Sequence, residues 1–329
     1  MIVNPSSGKP QQPEPEFFEV KVARKSKLAE SIYLFELVDP AGLPLPAFTA
    51  GSHITVETPG GMRRNYSLCN EPADASRYQI AIKRDAEGRG GSVSMADDVT
   101  EGASLKISAP RNNFELTERA SKFLFIAGGI GITPIISMMR HLKASGNDNF
   151  RLIYSINRPE SAAFLDELTG PSFAGQVEVH YHRGERDNVY DFWPVFETPT
   201  SEHIYCCGPR RLMEEVADMS GHWPTSSIHF ESFGIDAAAY AANTPFKVKL
   251  QSSGLELEVS EDESILEALR SAGIKVPSSC ESGTCGSCRT RLVSGEAEHR
   301  DMVLSEEEKE SSIMVCVSRG KSPELVLDL

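Results

Sequence analysis

The sequence contains no hydrophobic run that approaches the ~18 residues a helix needs to span a bilayer. Its N-terminus also lacks the basic-then-apolar order of a secretion signal. Blocks rich in lysine and arginine are missing as well, and the net charge is -14 with an isoelectric point near 5.1. These absences argue against a membrane-spanning segment and against nucleic acid or anionic membrane as partners. We therefore expect a cytoplasmic protein.

Cysteine is also scarce, with seven residues in 329, yet three of the seven lie within nine positions. These three are Cys280, Cys285 and Cys288, in C-E-S-G-T-C-G-S-C, and a further cysteine follows at Cys316. In a reducing compartment, clustered cysteines are more often metal ligands or catalytic thiols than disulfides. The cluster is therefore the first candidate for a functional site.

The length and the pattern of the chain predict several domains. Residues 1–16 are proline-rich and polar, which predicts a mobile tail. Short strand-like runs between Gly and Pro turns predict an antiparallel β-barrel over residues 17–113. Strands that alternate with helices predict an α/β domain with a parallel sheet over residues 114–234. An alanine-rich linker at 235–243 then leads to a third domain at 244–329.

The α/β domain is expected to contain three helices, each after a strand-like run. The helices are predicted at P-I-I-S-M-M-R-H-L, E-S-A-A-F-L-D-E-L and R-R-L-M-E-E-V-A-D-M. The strand-like runs are F-L-F-I-A, R-L-I-Y-S-I, Q-V-E-V-H-Y-H and H-I-Y-C-C. A parallel sheet covered on both faces would bury such runs completely.

The spacing of the clustered cysteines is Cys-x4-Cys-x2-Cys, with Cys316 after 27 intervening residues. This is the spacing of plant-type [2Fe–2S] proteins, in which four thiolates hold two irons. Small residues in the loop would let backbone N–H groups approach the sulfides, namely Ser282, Gly283, Thr284, Gly286 and Ser287. A structural zinc site is the alternative, but such sites usually pair cysteines as two short knuckles, which this chain lacks. We predict Cys280, Cys285, Cys288 and Cys316 as iron ligands.

A resemblance to a known family begins at this cysteine loop. It includes the R-T-R-L-V-S-G-E-A-E-H-R-D-M-V-L-S-E-E-E segment and the final V-C-V-S-R, and it can be followed from about Phe17 to Leu329. These segments resemble the phthalate dioxygenase reductase family, to which vanillate demethylase and carnitine monooxygenase reductases are similar. The resemblance implies an FMN-binding barrel, an NADH-binding α/β domain and a C-terminal α+β ferredoxin domain of the β-grasp type.

The barrel carries R-N-Y-S from Arg64 to Ser67, which resembles the R-x-Y-S flavin element of ferredoxin-reductase-like proteins. On a strand, Arg64 and Tyr66 point the same way, so a guanidinium can hold a phosphate while a phenol packs beside the flavin chain. Asn65 lies between them, and the resemblance places Ser67 near the reactive flavin nitrogen. The alternative is an exposed strand arginine beside a half-buried tyrosine.

A second sequence segment further supports the flavin interpretation. Ala81 and Lys83 precede G-R-G-G-S-V-S, which resembles the next flavin segment of the family. Helix N-termini bind phosphate through free N–H groups, and Gly90, Gly91 and Ser92 suit that role. An ordinary Gly turn with a serine cap is the alternative. The choice of FMN over FAD depends on the resemblance alone.

The nicotinamide segment F-L-F-I-A-G-G-I-G-I-T-P-I-I combines a buried strand, a glycine loop and a helix. Its glycines are Gly128, Gly129 and Gly131, which do not follow the G-x-G-x-x-G fingerprint. Thr133 is predicted as the helix cap, with Pro134 at the first helical position. The spacing fits ferredoxin-reductase relatives, in which such a loop lets the dinucleotide approach closely. A Gly-rich turn without a ligand is the alternative.

A second loop of the α/β domain, Cys207, Gly208 and Pro209, follows the strand H-I-Y-C-C at the end where α/β ligands bind. The resemblance implies that Cys207 lies by the nicotinamide ring and that Glu231 and Phe233 lie close to the isoalloxazine. Cys69 and Cys206 are predicted as ordinary core cysteines.

The choice between the two nicotinamide cofactors depends on the stretch after the second strand, S-I-N-R-P-E-S. Its Arg158 could favour the 2′-phosphate of NADPH, but NADH-using relatives carry a similar stretch, and we predict NADH.

The resemblance implies a reductase in which electrons pass from NADH to FMN and then to the [2Fe–2S] cluster. The cluster would deliver them to a separate Rieske-type terminal oxygenase in a transient complex. We predict that the reductase is a monomer. Two alternatives stay open. One is the reductase of another oxygenase type, diiron or P450, although similar diiron reductases usually place the ferredoxin first and carry FAD. The other is a non-enzymatic ferredoxin-like carrier with degenerate upstream domains, against which the intact flavin and nicotinamide motifs argue.

Overall fold

The computed structural model describes residues 16–88, 90–185, 188–233, 243–261, 263–278, 281–284 and 286–329. They fall into two compact units, one of residues 17–233 and one of residues 243–329. The predicted tail and linker lie outside the described residues, except for Glu16 and Asn243.

The first part of the larger unit is a seven-stranded antiparallel sheet. Its strands are β1 (Phe17–Ala29), β2 (Ile32–Val38), β3 (Ser52–Glu57), β4 (Arg63–Ser67), β5 (Tyr78–Lys83), β6 (Ser104–Ser108) and β7 (Arg111–Asn112). The order is β4-β3-β6-β1-β2-β5, with β7 paired to β3, and a bridge between Leu68 and Ile80 joins the two ends. The sheet therefore closes into the predicted barrel, around alternating apolar side chains such as Val20 and Val22. Helix α1 (Gly91–Asp98) lies between β5 and β6 in the chain.

The second part of the larger unit is a parallel sheet, also as predicted. Its strands are β8 (Phe123–Gly128), β9 (Phe150–Ile156), β10 (Val177–Tyr181), β11 (His203–Cys207) and β12 (Ile228–Glu231). The order β10-β9-β8-β11-β12 reverses direction between β8 and β11. Ligands of open α/β sheets bind at the carboxyl ends of strands beside such a reversal. Gly128 and Cys207 end the two strands there.

The described residues of this part also form the helices α2 (Ile132–Ala144), α3 (Leu165–Leu168), α4 (Trp193–Phe196) and α5 (Arg210–Met219). The prediction of α5 is confirmed, whereas the predicted helix E-S-A-A-F-L-D-E-L is wrong over its first half. Phe164 has a left-handed backbone with φ of 60°, which limits α3 to one turn. Thr133 is not the cap of α2, because the helix begins at Ile132 with Gly131 before it. Within the described part of the chain, no helix is long and apolar enough to cross a membrane.

Helix α2 connects the two parts of the larger unit. Its first eight residues are all buried, which is expected of a helix covered on every side. One continuous core cluster combines residues of α2 and β8 with barrel residues, among them Ala50, Cys69 and Ala81. The barrel and the parallel sheet therefore share a core.

The smaller unit is a mixed sheet with two short helices, as expected of a β-grasp ferredoxin fold. Its main strands are β13 (Phe246–Leu250), β14 (Glu256–Val259), β15 (Arg289–Ser294), β17 (Ser312–Met314) and β19 (Glu324–Leu327), in the order β14-β13-β19-β15-β17. A separate pair consists of β16 (Ala297–Glu298) and β18 (Arg319–Gly320). The helices are α6 (Ile265–Ser271) and α7 (Glu306–Lys309), each started by a serine capping box.

Candidate functional site

A positively charged corner forms where β4 meets the start of α1. Gly90 caps the helix with φ of 83°, a conformation that favours glycine. A Cβ placed on Gly91 would lie 3.0 Å from Cγ and 3.1 Å from Nε of Arg64, so this side chain lies against the first helical turn. The first N–H groups of a helix have no helical acceptor, and the guanidinium is cationic. Together they suit a phosphate group.

Tyr66 lies on the same face of β4 as Arg64, because side chains alternate along a strand. Burial raises the pKa of Tyr66 to about 12, and the charge of Arg64 acts in the opposite direction. The phenol oxygen is buried and has no hydrogen-bond partner among the residues that the structure describes. Since a buried hydroxyl without a partner is costly, the site fits a polar ligand such as a flavin. Ser67 follows, buried at the end of β4.

Four further predicted flavin residues have different surroundings. The amide oxygen of Asn65 accepts a hydrogen bond from the Thr55 hydroxyl at 2.7 Å, on the face opposite Arg64. Ala81 and Lys83 both lie on β5, the first buried and the second exposed. The Ser92 hydroxyl accepts a bond at 3.1 Å from a backbone N–H of the preceding loop. Ser92 therefore belongs to the charged corner through its backbone, whereas Asn65 faces away.

The two predicted nicotinamide loops meet at the reversal of the parallel sheet. A Cβ on Gly128 would lie 2.6 Å from Cδ of Pro209. A Cβ on Gly131 would lie 2.5 Å from the carbonyl carbon of Cys207 and 2.8 Å from the Gly208 nitrogen. Real Cβ atoms essentially never approach other atoms below 3.0 Å, so only glycine allows these contacts. The structure thus brings five predicted residues together.

The glycine loop is fixed by a residue that sequence reasoning missed. Gly129 has φ of 54°, and its carbonyl accepts a hydrogen bond from the Tyr154 hydroxyl at 2.9 Å. Thr133 donates its hydroxyl to the Ile130 carbonyl at 3.1 Å, and Pro134 follows in the first turn of α2. A tyrosine inside the apolar strand R-L-I-Y-S-I was the available signal, because buried tyrosines usually need a partner.

Cys207 and Glu231 lie side by side on neighbouring parallel strands, as register partners of β11 and β12. Burial, the Glu231 carboxylate and Cys206 hold the pKa of the Cys207 thiol well above its usual range. The thiol therefore stays protonated and neutral near pH 7. Phe233 lies two residues beyond Glu231, and 49% of the residue's surface is exposed.

Cys69 and Cys206 are fully buried, which confirms them as core cysteines. Burial raises the pKa of Cys69 to about 12, and its thiol donates to the Gln79 carbonyl at 3.1 Å. Neither residue has the exposed, acidic thiol expected of a reactive cysteine.

The cysteine loop is described in part, because Cys280 and Cys285 lie outside the described residues. Cys288 and Cys316 are both buried. Gly283 and Gly286 each have φ of 78°, and a Cβ on Gly283 would lie 2.8 Å from Cγ2 of Val317. The chain next to Cys316 therefore packs against the loop that contains the other cysteines. This close, glycine-dependent packing fits a plant-type cluster site.

The segment after β16 supports the same loop. The Met302 N–H donates to the Gly283 carbonyl at 3.0 Å. Asp301 has a buried side chain whose Oδ2 accepts from the backbone N–H groups of Val303 at 3.1 Å and Leu304 at 2.8 Å. These bonds hold the segment in a turn over Gly283, a support that the cysteine spacing alone does not predict.

Arg158, considered above for a 2′-phosphate, is already paired. Its Nη2 lies 2.5 Å from Oε2 of Glu30 on the barrel, and the Glu30 N–H donates to the Glu160 carbonyl at 2.7 Å. The guanidinium thus takes part in the contact between the barrel and the parallel sheet, with the Glu30 carboxylate as its partner. This arrangement removes the argument for NADPH.

Comparison with known proteins agrees with this geometry. Residues 125–218 match the family described as oxidoreductase NAD-binding domain, and residues 248–321 match the 2Fe-2S iron-sulfur cluster binding domain. The chain is 59% identical over 314 residues to the phthalate 4,5-dioxygenase oxygenase reductase subunit of Pseudomonas putida, covering 95% of this chain and 97% of that one. It is 54% identical to phthalate dioxygenase reductase of Burkholderia cepacia, with 95% and 98% covered.

A solved structure of phthalate dioxygenase reductase, described as modular for electron transfer from pyridine nucleotides to [2Fe–2S], superposes with a TM-score of 0.80. The identity is 54%, and the match covers 95% of this chain and 98% of that structure. Identity of this extent over nearly the whole length goes far beyond a shared fold. The chain therefore belongs to the phthalate dioxygenase reductase family.

Proposed function

We propose that the chain is the reductase component of a two-component oxygenase whose terminal member is of the Rieske type. Because it belongs to this family, the chain is an NADH-dependent flavin and iron–sulfur oxidoreductase. It uses FMN and a [2Fe–2S] cluster and serves an oxygenase. When bound, NADH supplies a hydride, FMN accepts it, and the cluster passes electrons one at a time. The observation that carries the proposal is the single core shared by the barrel and the parallel sheet, since one compact unit would then hold both hydride partners.

The flavin phosphate is assigned to Arg64 and to the first N–H groups of α1 at Gly90, Gly91 and Ser92. The guanidinium lies against that helical turn, so one anion can contact both. Tyr66 would pack beside the flavin and gain a hydrogen bond for its buried hydroxyl. Ser67, at the buried end of β4, would lie next to the reacting flavin position.

The other residues that we assign to the flavin site have less support from the geometry than Arg64 and Tyr66, but we include them in the proposal. Ala81 lies in the shared core on β5, and Lys83 ends that strand at the surface. Asn65 would contribute its backbone, because its side chain already bonds to Thr55. Phe233 offers a half-exposed ring suited to stacking on a flat ligand.

The nicotinamide is assigned to the place where the Gly128–Gly131 loop meets Cys207, Gly208 and Pro209. Thr133 and Pro134 lie in the first turn of α2, directly after that loop, and the N-terminal end of this helix favours the negative pyrophosphate. The neutral Cys207 thiol places no negative charge beside the nicotinamide ring. Glu231, the register partner of Cys207 on the neighbouring strand, provides a carboxylate beside it.

The cluster is assigned to Cys280, Cys285, Cys288 and Cys316. Residues 244–329 carry 16 acidic against 10 basic residues, a net charge of -6. An acidic ferredoxin domain would favour a brief, salt-sensitive encounter with a basic patch on the oxygenase. We further propose that the chain is a monomer and that it acts in the cytoplasm, where thiolates stay reduced.

Reconstitution tests the Rieske assignment. The purified protein is mixed with NADH and, in separate reactions, with a Rieske, a diiron or a P450 terminal oxygenase, and product formation is measured. We expect coupled turnover with the Rieske enzyme, falling as salt is raised above ~0.1 M. Turnover with the diiron or P450 enzyme only would reject the Rieske assignment while leaving the reductase class intact.

A further inference from the structure

Two hydrogen bonds, one buried and one partly buried, join α2 to the barrel in the chain that follows the proposed flavin residues of β4. The Ser137 hydroxyl donates to the Asn70 carbonyl at 2.8 Å, and both groups are buried. The Arg140 Nη1 donates to the Cys69 carbonyl at 2.5 Å. These carbonyls follow Ser67 by two and three residues, so α2 holds the chain that continues from β4.

The same helix carries the proposed nicotinamide loop at its other end. It begins directly after Gly131, and Ser137 and Arg140 lie three residues apart on one face, one and two turns into the helix. A helix is stiff over this length. A displacement of either carbonyl relative to the helix would therefore change the position of Ser67 relative to the Gly128–Gly131 loop.

Arg140 is itself held from a third element. Its Nε lies 2.9 Å from Oε1 and its Nη2 2.5 Å from Oε2 of Glu167 on α3, a bidentate pair, and its guanidinium lies 5.3 Å from the centroid of the Phe164 ring. Burial disfavours the charged guanidinium, but the bond and charge of Glu167 outweigh it and raise the pKa of Arg140. Arg140 is thus a permanently charged donor, and only 20% of its side chain is exposed.

The barrel end of the contact is equally well fixed. Asn70 is buried, its amide nitrogen donates to the carbonyls of Asp74 at 3.2 Å and Arg77 at 3.0 Å, and its amide oxygen accepts from the Gln79 N–H at 3.0 Å. The loop between β4 and β5 is therefore rigid around the carbonyl that Ser137 binds. Rigid partners on both sides are what a positioning contact requires.

We propose that Ser137 and Arg140 are positioning residues for hydride transfer, which fix Ser67 and the flavin in register with the nicotinamide loop. The inference rests on the proposed function of that site. Reacting atoms must approach within about 3–3.5 Å, and a misplacement of about 1 Å can cost on the order of a hundredfold in rate. The two residues touch neither cofactor in this assignment, so they act through the Cys69 and Asn70 carbonyls.

The test compares Ser137→Ala, Arg140→Gln and Arg140→Lys with two controls. Lys143→Gln, on the same helix, removes the exposed ion pair that Lys143 forms with Asp148 in the loop after α2. Glu30→Gln removes the exposed ion pair with Arg158, which joins the barrel and the parallel sheet elsewhere. Anaerobic stopped-flow absorbance gives the limiting rate of flavin reduction by NADH. Bound FMN per protein and equilibrium binding of a tetrahydropyridine analogue of NADH, which cannot donate hydride, are measured in parallel.

We expect the limiting rate to fall about tenfold or more in Ser137→Ala and Arg140→Gln, with FMN content and analogue affinity within about threefold of wild type. Arg140→Lys keeps a cation and one donor, so it should recover part of the rate. Both controls should match wild type.

Two outcomes would overturn the positioning role. The first is a wild-type limiting rate in both Ser137→Ala and Arg140→Gln. The second is a lower rate that is fully explained by lost FMN or by lost folded protein in every variant, including Arg140→Lys. A wild-type protein whose flavin NADH cannot reduce would instead overturn the proposed function itself.

Discussion

The change Gly131→Ala should slow flavin reduction by NADH although alanine can adopt the φ and ψ of Gly131. Gly131 has φ of -62° and ψ of -7°, which any residue adopts, so alanine introduces no backbone strain. Indeed, glycine-to-alanine changes at such positions usually stabilise a protein by ~0.4–1 kcal/mol. The expected loss of rate therefore comes only from the added methyl group.

The size of the effect follows from the contact between the two nicotinamide loops. The new Cβ would lie 2.5 Å from the Cys207 carbonyl carbon, closer still to its oxygen, and 2.8 Å from the Gly208 nitrogen. Ordinary contact begins at 3.4 Å, so the loops must separate by about 1 Å, and both contacts are rigid backbone. A shift of about 1 Å at a reacting centre costs up to about a hundredfold in rate.

The assay is anaerobic stopped-flow reduction of the bound flavin over a range of NADH concentrations. The matched control is Gly221→Ala, where the nearest atom to the new Cβ lies 3.6 Å away. We expect a fall of about tenfold to a hundredfold for Gly131→Ala and no change for the control. If Gly131→Ala keeps its rate within about threefold at full FMN content, the two loops do not form the nicotinamide site.

Three further predictions test separate parts of the account. Arg64→Ala should weaken FMN binding by about 1.5–3 kcal/mol, the worth of a charge-assisted hydrogen bond; equilibrium dialysis measures it, and an unchanged affinity would remove Arg64 from the site. Cys285→Ser should abolish the EPR signal of the reduced cluster but leave FMN bound, whereas Cys206→Ser should keep both, and loss of iron in the latter would mean that the ligands are wrongly chosen. Burial, aided by His203, lowers the pKa of His229 to about 4, so between pH 6.5 and about pH 4 the unfolded chain binds a proton that the folded chain does not. The melting temperature should therefore decrease as the pH is lowered from 6.5 to 4, and it should decrease less in His229→Gln. An equal decrease in wild type and His229→Gln would contradict this cause.

Local sequence patterns were enough to predict much of the fold. Runs such as F-L-F-I-A and, after its histidine, H-I-Y-C-C are almost entirely apolar, which is typical of a strand covered on both faces, and both are confirmed as strands in β8 and β11. The helix expected at E-S-A-A-F-L-D-E-L failed because Phe164 takes a left-handed backbone in which its ring joins the shared core. Tertiary packing there overrides helix propensity.

The residues of the candidate site also fall into those that the sequence predicts and those that it does not. Cysteine spacing, R-N-Y-S and the glycine loop could be found because their chemistry depends on residue type. Ser137 and Arg140 could not, since each binds a backbone carbonyl, and a carbonyl has no signature in the sequence. For Tyr154 the sequence shows only that a buried tyrosine needs a partner, not that the partner is the Gly129 carbonyl. The reductase class, the cofactors and the family were confirmed by the relatives, while the individual site residues and domain limits stay predictions.

The most direct test of the three-carrier account compares the intact protein with a chain that ends at Asn243. Residues 17–233 form a compact unit with their own cores, so the shortened protein should bind FMN and reduce ferricyanide with NADH at the intact rate. It should give no NADH-driven turnover of the oxygenase, because the cluster that delivers single electrons is missing. If the shortened protein still drives the oxygenase, the cluster is not the obligatory exit for electrons, and the central claim is wrong.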